Sequence, residues 1–568
     1  MSYRSLFAGS WLVPLLALCA YIPHSVSAQG RSGPLTNVRQ NTPATFRTVM
    51  PENKVPGQVE STARRLMHQL DKQGYEVLRG YFKLYTADDC DMSYQVMHSC
   101  YGNNPAAPYA LPVVPPWPDR PGPGEWVDPA TIGALGETAD GYSSSYRLDP
   151  REALVILARM PPHAAYFGMK TYLFTRSGEL CTESPQYNWI ASHLPALFPT
   201  FFSLVPNEPE DSPRVQILAD FGNSANNVVI SDQSGSVWDQ LRYFVITPNP
   251  TMDAAVRDAL SKIGIADHDI FTEKIPEYFP SESNPPNCPE SAALRFGVDQ
   301  QADDFITLIR YAMPADAAAG ERWRQRLPLV VLRVRNEAAD QQTYPWEPFE
   351  QRTPSNPPET SHASDLETIT QAVCGIWNTA ITQDCTQWKP LLNLQAAPLG
   401  LTGPGCVPAW MNCLAPNEDT TYQISSKLPL DPDHFYAVVG PLSTATQNAM
   451  YVGLGLNSSL KQLGFDNISD ELLAGSATGY SNAVSGDKFF VQYFARDCSG
   501  LAEYLPPGVN FQCFSIGDTL PYCYDSSDLQ CDMLVLSLRG YLRPGTRRAT
   551  DKNSILNSRL IRLNRPGP

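Results

Sequence analysis

The most regular pattern of apolar and polar positions in this chain predicts a β-α-β unit. Residues 243–247 form an apolar stretch with strand character, and residues 252–263 repeat apolar side chains at helical spacing. Thr251 before the second stretch and Gly264 after it are residue types that favour a helix start and a helix end. A second strand is predicted at 269–275, so we expect the two strands to lie parallel in one sheet, with the helix as their crossover.

Upstream of this unit, the pattern predicts a helix, a strand and a hairpin. Apolar residues share one helical face in 61–74, and the aromatic-rich stretch 75–85 alternates as a strand does. Residues 152–159 are almost uninterruptedly apolar, and residues 165–175 return after a Pro-Pro turn. Together they predict a hairpin whose first arm is buried on both faces.

The C-terminal part of the chain alternates short apolar stretches with Gly, Ser and Asn turns. Residues 337–427 are rich in Pro, Thr, Asn and Gln and contain one predicted helix, which starts at Ser364 with Glu367 as its capping partner. Beyond them, strands are predicted at 434–439, 449–455, 488–494 and 533–538. Short strands separated by such turns are typical of a β-sandwich.

These elements predict a β-rich α+β protein. We expect an N-terminal α/β part that contains the β-α-β unit, and a C-terminal all-β, sandwich-like domain, both held by disulfides. No internal repeat with a fixed period is visible. The predicted division is a signal peptide (1–28), a polar leader (29–55), an α+β domain (56–336) with a Pro-rich segment (105–129), a Cys- and Pro-rich connecting region with one helix (337–427), and an all-β domain with a basic C-terminal end (428–568).

The first 28 residues have the pattern of a secretory signal. Arg4 is their only charge, an apolar stretch follows at 11–22, and Val26 and Ala28 stand where a cleavage site needs small residues. The apolar stretch is too short to span a bilayer. We therefore expect a secreted, extracellular or periplasmic protein with no transmembrane segment after the signal is removed.

Cysteine usage supports the same compartment. Of 13 cysteines, Cys19 lies in the signal, which leaves an even number that can pair in an oxidising environment. The simplest pairing joins sequence neighbours and leaves one long-range bridge: Cys90 with Cys100, Cys374 with Cys385, Cys406 with Cys413, Cys498 with Cys513, Cys523 with Cys531, and Cys181 with Cys288. A metal site built on Cys90, Asp91, His98 and Cys100 is the alternative, but the chain has no Cys-x-x-Cys pair. We therefore predict disulfides, no metal and no cofactor.

The charge balance narrows the possible partners. The chain has 58 acidic and 42 basic residues, a net charge of −16, which disfavours nucleic acid. The segment from Arg539 to Arg565 is basic instead. It is either a contact for an anionic surface or a strand pair whose cations lie against the acidic body, and surface charge runs are usually solvated faces.

The best candidate site is the polar loop that begins at Asp220, between the apolar stretches 215–219 and 228–230. Asp220 and Asp232 are candidates for the acid and base of a glycosidase-like carboxylate pair. Asn223, Ser224 and Asn227 are candidate ligand-binding residues, because amides and hydroxyls at strand ends can hold sugar hydroxyls. The alternative is ordinary turn chemistry, since Asp, Asn, Ser and Gly dominate turns for backbone reasons.

Two functional hypotheses remain open at this point. The chain lacks the His-Glu-x-x-His, Gly-x-Ser-x-Gly, phosphate-loop and dinucleotide-binding motifs, which slightly favours a non-catalytic surface or envelope protein that binds a carbohydrate, a lipid or a protein partner. The other hypothesis is an extracellular hydrolase that acts on a glycan or another polar polymer through the carboxylate pair. Asn457 and Asn467 match the acceptor sequence for N-glycans, which matters only in a host that glycosylates.

Overall fold

The computed structural model describes residues 57–117, 131–206, 213–279, 288, 292–380, 388–396, 399–528 and 530–565. The predicted signal peptide (1–28), the polar leader (29–55) and the second half of the Pro-rich segment lie outside these residues.

Short strands dominate the described residues. In chain order they are β1 (Glu76–Arg79), β2 (Tyr81–Tyr85), β3 (Tyr109–Val113), β4 (Ser145–Tyr146), β5 (Glu152–Arg159), β6 (Ala164–Ser177), β7 (Arg214–Asp220), β8 (Ala225–Asn226), β9 (Leu241–Thr247), β10 (Ile270–Lys274), β11 (Asp304–Pro314), β12 (Leu329–Arg335), β13 (Trp388–Pro390), β14 (Leu392–Asn393), β15 (Thr420–Ile424), β16 (His434–Pro441), β17 (Tyr451–Ser458), β18 (Gly464–Ser469), β19 (Phe489–Ala495), β20 (Cys513–Ser515), β21 (Leu534–Tyr541) and β22 (Arg559–Asn564).

Helices are fewer and mostly short. They are α1 (Gly57–Lys72), α2 (Cys90–Met97), α3 (Pro185–His193), α4 (Phe198–Phe201), α5 (Asn227–Ser234), α6 (Pro250–Lys262), α7 (Ala317–Arg326), α8 (Ala363–Ala380), α9 (Gly403–Cys406) and α10 (Asp470–Leu473).

The strands form four sheets, which confirms the predicted β-rich α+β class. We name them by their place in the molecule. The N-outer sheet has the order β1-β12-β5-β9-β10, and the N-inner sheet has the order β2-β3-β11-β6-β7, with β4 beside β11 and β8 beside β6. The C-inner sheet has the order β14-β15-β21-β17-β18, and the C-outer sheet has the order β13-β22-β16-β19-β20.

The two halves of the chain, residues 57–335 and 363–564, share one topology. Strands β4 and β8 have two residues each and lie beside the main strand order of the N-inner sheet, so they are set aside here. The other ten strands of the first half then correspond in chain order to β13 through β22, and the strand orders of both sheets are the same in the two halves. Strand directions correspond as well: β9 with β10 and β19 with β20 are parallel, and the other corresponding pairs are antiparallel. A long helix precedes each set, α1 in the first half and α8 in the second.

Hydrophobic cores lie between successive layers of helices and sheets. Helices α1 and α6 cover the N-outer sheet through residues such as Leu66 and Val256, and α8 covers the C-outer sheet through Leu366 and Trp377. Separate cores fill the space between the outer and inner sheets of each half. The two inner sheets therefore face each other in the middle of the molecule, where side chains of both halves pack together.

The predicted β-α-β unit is confirmed. Strands β9 and β10 are parallel, with Tyr243 beside Ile270, and α6 connects them. The helix begins two residues earlier than predicted, because Asn249 and not Thr251 is the N-cap. The side chain of Asn249 accepts hydrogen bonds from two backbone N–H groups of the first turn.

The predicted hairpin is wrong. Its first arm, β5, lies between β12 and β9 in the N-outer sheet, whereas its second arm, β6, lies between β11 and β7 in the N-inner sheet. Proline has no N–H to continue a ladder, so the turn at Pro161 and Pro162 carries the chain from one sheet to the other. The stretch 75–85 divides between the two sheets in the same way at Gly80. Glycine is required there because a Cβ atom would collide with the carbonyl oxygen of Val113.

The C-terminal all-β sandwich is confirmed by the C-inner and C-outer sheets, which enclose one core. Part of it comes from the predicted connecting region, because β13, β14 and β15 extend these two sheets and α8 covers one of them. The proposed domain boundaries after residues 336 and 427 stay a prediction.

Disulfides join the predicted partners wherever both cysteines are described. The pairs are Cys90–Cys100, Cys181–Cys288, Cys406–Cys413, Cys498–Cys513 and Cys523–Cys531. Cys374 is disulfide-bonded, and its predicted partner Cys385 lies outside the described residues. Bridges in this number fit a protein that is secreted or periplasmic.

None of the described helices combines the length and the apolar character that a bilayer-spanning helix requires. Within the described ranges, no three His, Cys, Asp or Glu side chains are grouped so that they could hold a metal ion.

Candidate functional site

A cavity of about 120 Å³ lies between the inner sheets of the two halves. Tyr109 and Arg310 of the N-inner sheet line it together with Tyr422, Arg539 and Tyr541 of the C-inner sheet. A second cavity of about 330 Å³ adjoins it, and both cavities are lined by Ser99, Thr200, Asn412, Lys427, Ser459 and Gln462. We call the first the central cavity and the second the outer cavity.

Arg310 and Arg539 hold equivalent positions in the repeated topology. Arg310 of β11 lies opposite Gly168 of β6, and Arg539 of β21 lies opposite Gly453 of β17. On its other side, Arg539 lies opposite Tyr422 of β15. The pairing of Ile309 with Ala110 places Tyr109 beside Arg310 in the same way. Each half therefore presents one arginine flanked by a tyrosine and a glycine.

A tyrosine folds over each of these glycines. Tyr166 lies two residues before Gly168, and Tyr451 lies two residues before Gly453. A Cβ atom on either glycine would collide with the hydroxyl of its tyrosine. The same local arrangement thus occurs twice, although Tyr-x-Gly is too short a pattern to reveal a repeat from sequence alone.

Both arginines are buried but lack an acidic partner. Arg310 is 3% exposed, and its Nη1 donates to the hydroxyl of Tyr172 at 2.9 Å. Arg539 is 7% exposed; its Nη2 donates to the carbonyl of Gly102 at 2.6 Å, and its Nη1 is buried without a hydrogen-bond partner. Among the described residues, neither guanidinium forms an ion pair with a carboxylate. The central cavity therefore has two positive charges in its wall that the protein does not neutralise by direct contact.

The tyrosines around these arginines act as neutral hydroxyl groups. Burial raises the pKa of Tyr422 and of Tyr541, and it raises the pKa of Tyr451 to about 12. Tyr109 contributes its ring face instead: the Arg310 guanidinium lies 5.1 Å from the ring centroid. The cavity wall thus combines cations, neutral donors and aromatic faces.

Asn457 adds a polar group to the wall of the central cavity. Its Nδ2 donates to Ser537 Oγ at 2.9 Å and to two backbone carbonyls of the C-inner sheet, while its Oδ1 is buried without a partner. The side chain is 5% exposed. A glycan at Asn457 is therefore incompatible with this fold, because its amide nitrogen is already used inside the protein.

The sequence-predicted residue Asp220 lies at the end of β7 and is fully buried. Its Oδ1 accepts a hydrogen bond from the backbone N–H of Gly403 at 2.8 Å, and its Oδ2 has no partner. Burial raises the pKa of Asp220 to about 7, against the opposing charge of Lys170. Asp220 is therefore a perturbed carboxyl group, but it lines neither cavity.

Lys170 and Glu273 complete a buried charged group beside Asp220. Lys170 Nζ lies 3.8 Å from Glu273 Oε1 and donates to the carbonyl of Gly222. Burial lowers the pKa of Lys170 and raises the pKa of Glu273. Neither residue was identified from the sequence, because each is a charged residue within a strand and no motif surrounds it.

Asp232 has a different environment from Asp220. It lies on α5, its side chain is 45% exposed, and it forms an ion pair with Arg547 at 2.7 Å. The two carboxylates have no common hydrogen-bond or ion-pair partner among the described residues. Their role as an acid–base pair stays a prediction.

The three predicted ligand-binding residues are used inside the protein. Asn223 Oδ1 accepts from the Glu350 N–H, Ser224 Oγ donates to Asp419, and Asn227 Oδ1 accepts from a backbone N–H of β6. The apolar stretch 228–230 is part of helix α5, and the preceding Asn226 caps that helix with its side chain.

The basic segment near the C-terminus is distributed between the interior and the surface. Arg539 and Arg548 are buried, so neither can contribute to a contact with an anionic surface. Arg547, Arg559 and Arg562 form ion pairs with carboxylates of the body. A surface contact through the remaining cations stays a prediction.

The chain matches no protein-family model and no curated protein. Two solved structures align with most of it. One is an uncharacterized protein from Burkholderia cenocepacia, with 10% identity and a TM-score of 0.30 over 90% of this chain and 96% of that chain. The other is a protein from Vibrio parahaemolyticus, with 8% identity and a TM-score of 0.30 over 89% of this chain and 96% of that chain. Likenesses at this level support no argument about function.

Proposed function

We propose that this protein is an exported, non-catalytic binding protein whose ligand occupies the central cavity. The observation that carries the proposal is the composition of the cavity wall, where Arg539 Nη1 and Asn457 Oδ1 are buried without partners beside aromatic and aliphatic side chains. Ligand sites are typically concave and largely apolar with a few convergent polar groups. The disulfides support the exported part of the proposal.

The chemistry of the wall favours binding over catalysis. The charged residues that line the central cavity are Arg310, Lys427 and Arg539. The lining that the described residues form contains no carboxylate and no histidine that could exchange a proton with a substrate. General acid–base catalysis most often uses a histidine or carboxylate within hydrogen-bond reach of the substrate.

The hydrolase alternative depends on Asp220. A pKa raised to about 7 and an unpartnered Oδ2 suit a general acid at neutral pH. Its test is a hydrolase screen on the purified oxidised protein and on Asp220→Asn and Asp232→Asn. Hydrolysis that both substitutions reduce would favour this alternative over the binding function.

Thermal unfolding in the presence of defined small molecules tests the binding function. The panel contains benzoate, phenyl phosphate, hexanoate, benzamide and benzyl alcohol, so that charged and neutral compounds are both present. Ile424→Trp fills part of the central cavity, and Leu472→Trp is its matched control on the exposed helix α10, where the leucine is 61% exposed.

We expect at least one compound to raise the unfolding temperature of the native protein and of Leu472→Trp, but not of Ile424→Trp. If Ile424→Trp does not fold, Ser459→Trp serves the same purpose, because Ser459 lines both cavities. Equal shifts in the native protein and in the filled variant would overturn the proposal, as would the absence of any shift across the panel.

A further inference from the structure

The two buried arginines of the central cavity differ from the other buried arginines of this protein. Most arginines with comparable burial form an ion pair: Arg147 with Asp304, Arg176 with Asp303, Arg214 with Asp304, Arg333 with Glu152, Arg352 with Glu418 and Arg548 with Asp419. Arg496 lacks an acid but donates to four backbone carbonyls. Among the described residues, Arg310 and Arg539 have neither kind of compensation. Arg310 instead lies over the ring faces of Tyr109 and Tyr172, at 5.1 and 5.5 Å from the ring centroids.

A buried charge without a partner is unfavourable for the folded protein. The hydrogen bonds of Arg310 and Arg539 to Tyr172 and Gly102 satisfy only part of their donor capacity, since a guanidinium carries five N–H groups. Both residues line one cavity, so a single negatively charged group in that space can interact with both. The missing partner is therefore expected to be a ligand.

The repeated topology explains why two cations meet there. Arg310 and Arg539 occupy equivalent strand positions, and the two inner sheets that carry them face each other. Each half thus contributes the same element, an arginine flanked by a tyrosine, to one shared site. The lysine of the outer cavity wall, Lys427, is 9% exposed and adds a third cation between the two cavities.

The remaining wall of the cavity indicates what the anionic group is attached to. Leu218, Ile424, Val535 and the ring of Tyr422 are apolar surfaces, and the central cavity of about 120 Å³ is close in size to a cavity of about 150 Å³ that holds one benzene molecule. An inorganic anion can contact the arginines but leaves this apolar surface without a partner. A small hydrocarbon or aromatic body fits it.

Resting on the proposed binding function, we propose that the ligand is a small organic oxyanion whose carboxylate or phosphate is held by Arg310 and Arg539 in the central cavity. Guanidinium groups bind both oxyanions through charge-assisted hydrogen bonds. The hydroxyls of Tyr422 and Tyr541 supply further donors, and the apolar wall holds the organic body. The outer cavity provides room for a longer body on the same side.

Calorimetric titration with matched compounds tests this assignment. Benzoate and phenyl phosphate are compared with the neutral benzamide and benzyl alcohol, on the native protein and on Arg310→Met and Arg539→Met, which keep an unbranched side chain but remove the charge. Arg547→Met is the matched control, because Arg547 is half-exposed and lies outside both cavities.

We expect one of the anions to bind roughly tenfold or more tightly than its neutral counterpart, and each of the two cavity substitutions to weaken it roughly tenfold or more. Arg539→Lys should retain part of the preference for the anion, because it keeps the positive charge. The control should bind as the native protein does. Removal of Arg539 should also leave the ligand-free protein at least as resistant to urea, which a purely structural arginine would not do.

The outcomes separate this inference from the proposed function. The oxyanion assignment would be overturned if the neutral compounds bind as tightly as the anions. If that binding is also lost in Ile424→Trp, the central cavity is still the ligand site. Anion binding that is unchanged in Arg310→Met and Arg539→Met would also overturn the oxyanion assignment. Absence of binding for every compound up to about 10 mM would overturn both.

Discussion

Asp419 and Arg548 form a buried ion pair at the junction between the two halves, with 3.1 Å between Oδ1 and Nη1. Asp419 is also the acceptor for the side chains of Tyr166, Ser224 and Asn226, so residues of the first half converge on a carboxylate that precedes β15 in the second half. This network fixes how the inner sheets face each other, and hence the shape of the cavity between them.

Replacement of Asp419 by Asn should destabilise the protein strongly. The substitution leaves Arg548 buried with a weaker partner, and removal of one member of a buried pair typically costs about 3–5 kcal/mol. Asp232→Asn is the control, because its pair with Arg547 is half-exposed and such pairs contribute about 0–1 kcal/mol. Urea unfolding of both variants measures the difference. Similar losses in the two variants would contradict the role given to this network.

The contribution of Asp220 to the stability of the protein should fall as the pH rises from about 4 to about 7. The pKa of this carboxyl is about 7 in the folded protein and 3.8 as its ordinary value. Folding therefore favours the protonated form of Asp220. The resulting contribution to the free energy of unfolding is fully present below pH 3.8 and is lost as the pH rises through 7.

Asp220→Asn should remove this contribution, so the native protein should lose roughly 1–4 kcal/mol of stability relative to the variant between those pH values, because the amide does not titrate. The exposed carboxylate variant Asp232→Asn should retain the dependence of the native protein. Unfolding free energies measured across this pH range provide the comparison. A native and an Asp220→Asn curve of equal slope would show that Asp220 is not the group responsible.

The disulfides should differ in how much they stabilise the protein. Cys181–Cys288 closes a loop of 107 residues, whereas Cys406–Cys413 closes a loop of 7. On the chain-entropy model these closures contribute about 5 and about 2 kcal/mol. Paired Cys→Ser variants, unfolded in denaturant, measure the ranking. A greater loss for the short loop would indicate that native-state contacts, rather than loop closure, set the contribution.

Asn457 should carry no glycan when the protein is secreted by a host that glycosylates. Its Nδ2 lies within hydrogen-bond distance of three acceptors in the C-inner sheet, whereas Asn467 is partly exposed in β18 and its Nδ2 donates to the hydroxyl of Tyr451 alone among the described residues. Peptide mass spectrometry of the secreted protein reads the occupancy of both sites. A glycan on Asn457 in folded, secreted protein would be inconsistent with the position of this residue in the cavity wall.

The sequence predicts local elements of this fold well. Helix α6 between two parallel strands follows from its apolar spacing and its flanking residues, and the cysteine spacing leads to the correct partners wherever both cysteines are described. The hairpin prediction failed because the apolar patterns of β5 and β6 do not specify which sheet each strand joins. That choice depends on packing between layers, and in this protein two prolines direct the chain across them.

The candidate site could not be predicted in the same way. Asp220 stood out because a polar loop begins there. Burial raises its pKa, and the hydrogen bond from Gly403 opposes that shift, but Asp220 lines neither cavity. Arg310 and Arg539 each lie in an apolar strand, where a single arginine resembles one that pairs with a nearby acid. Only the facing of the two inner sheets reveals that they line one cavity and that no described carboxylate accompanies them.

Anomalous diffraction from crystals soaked in bromide tests the central claim most directly. If the central cavity is an anion site, a bromide peak should lie beside the guanidinium group of Arg310 or Arg539, and it should be absent from crystals of Arg310→Met and Arg539→Met soaked in the same way. Bromide confined to the outer surface, with only water density between the two inner sheets, would contradict the account.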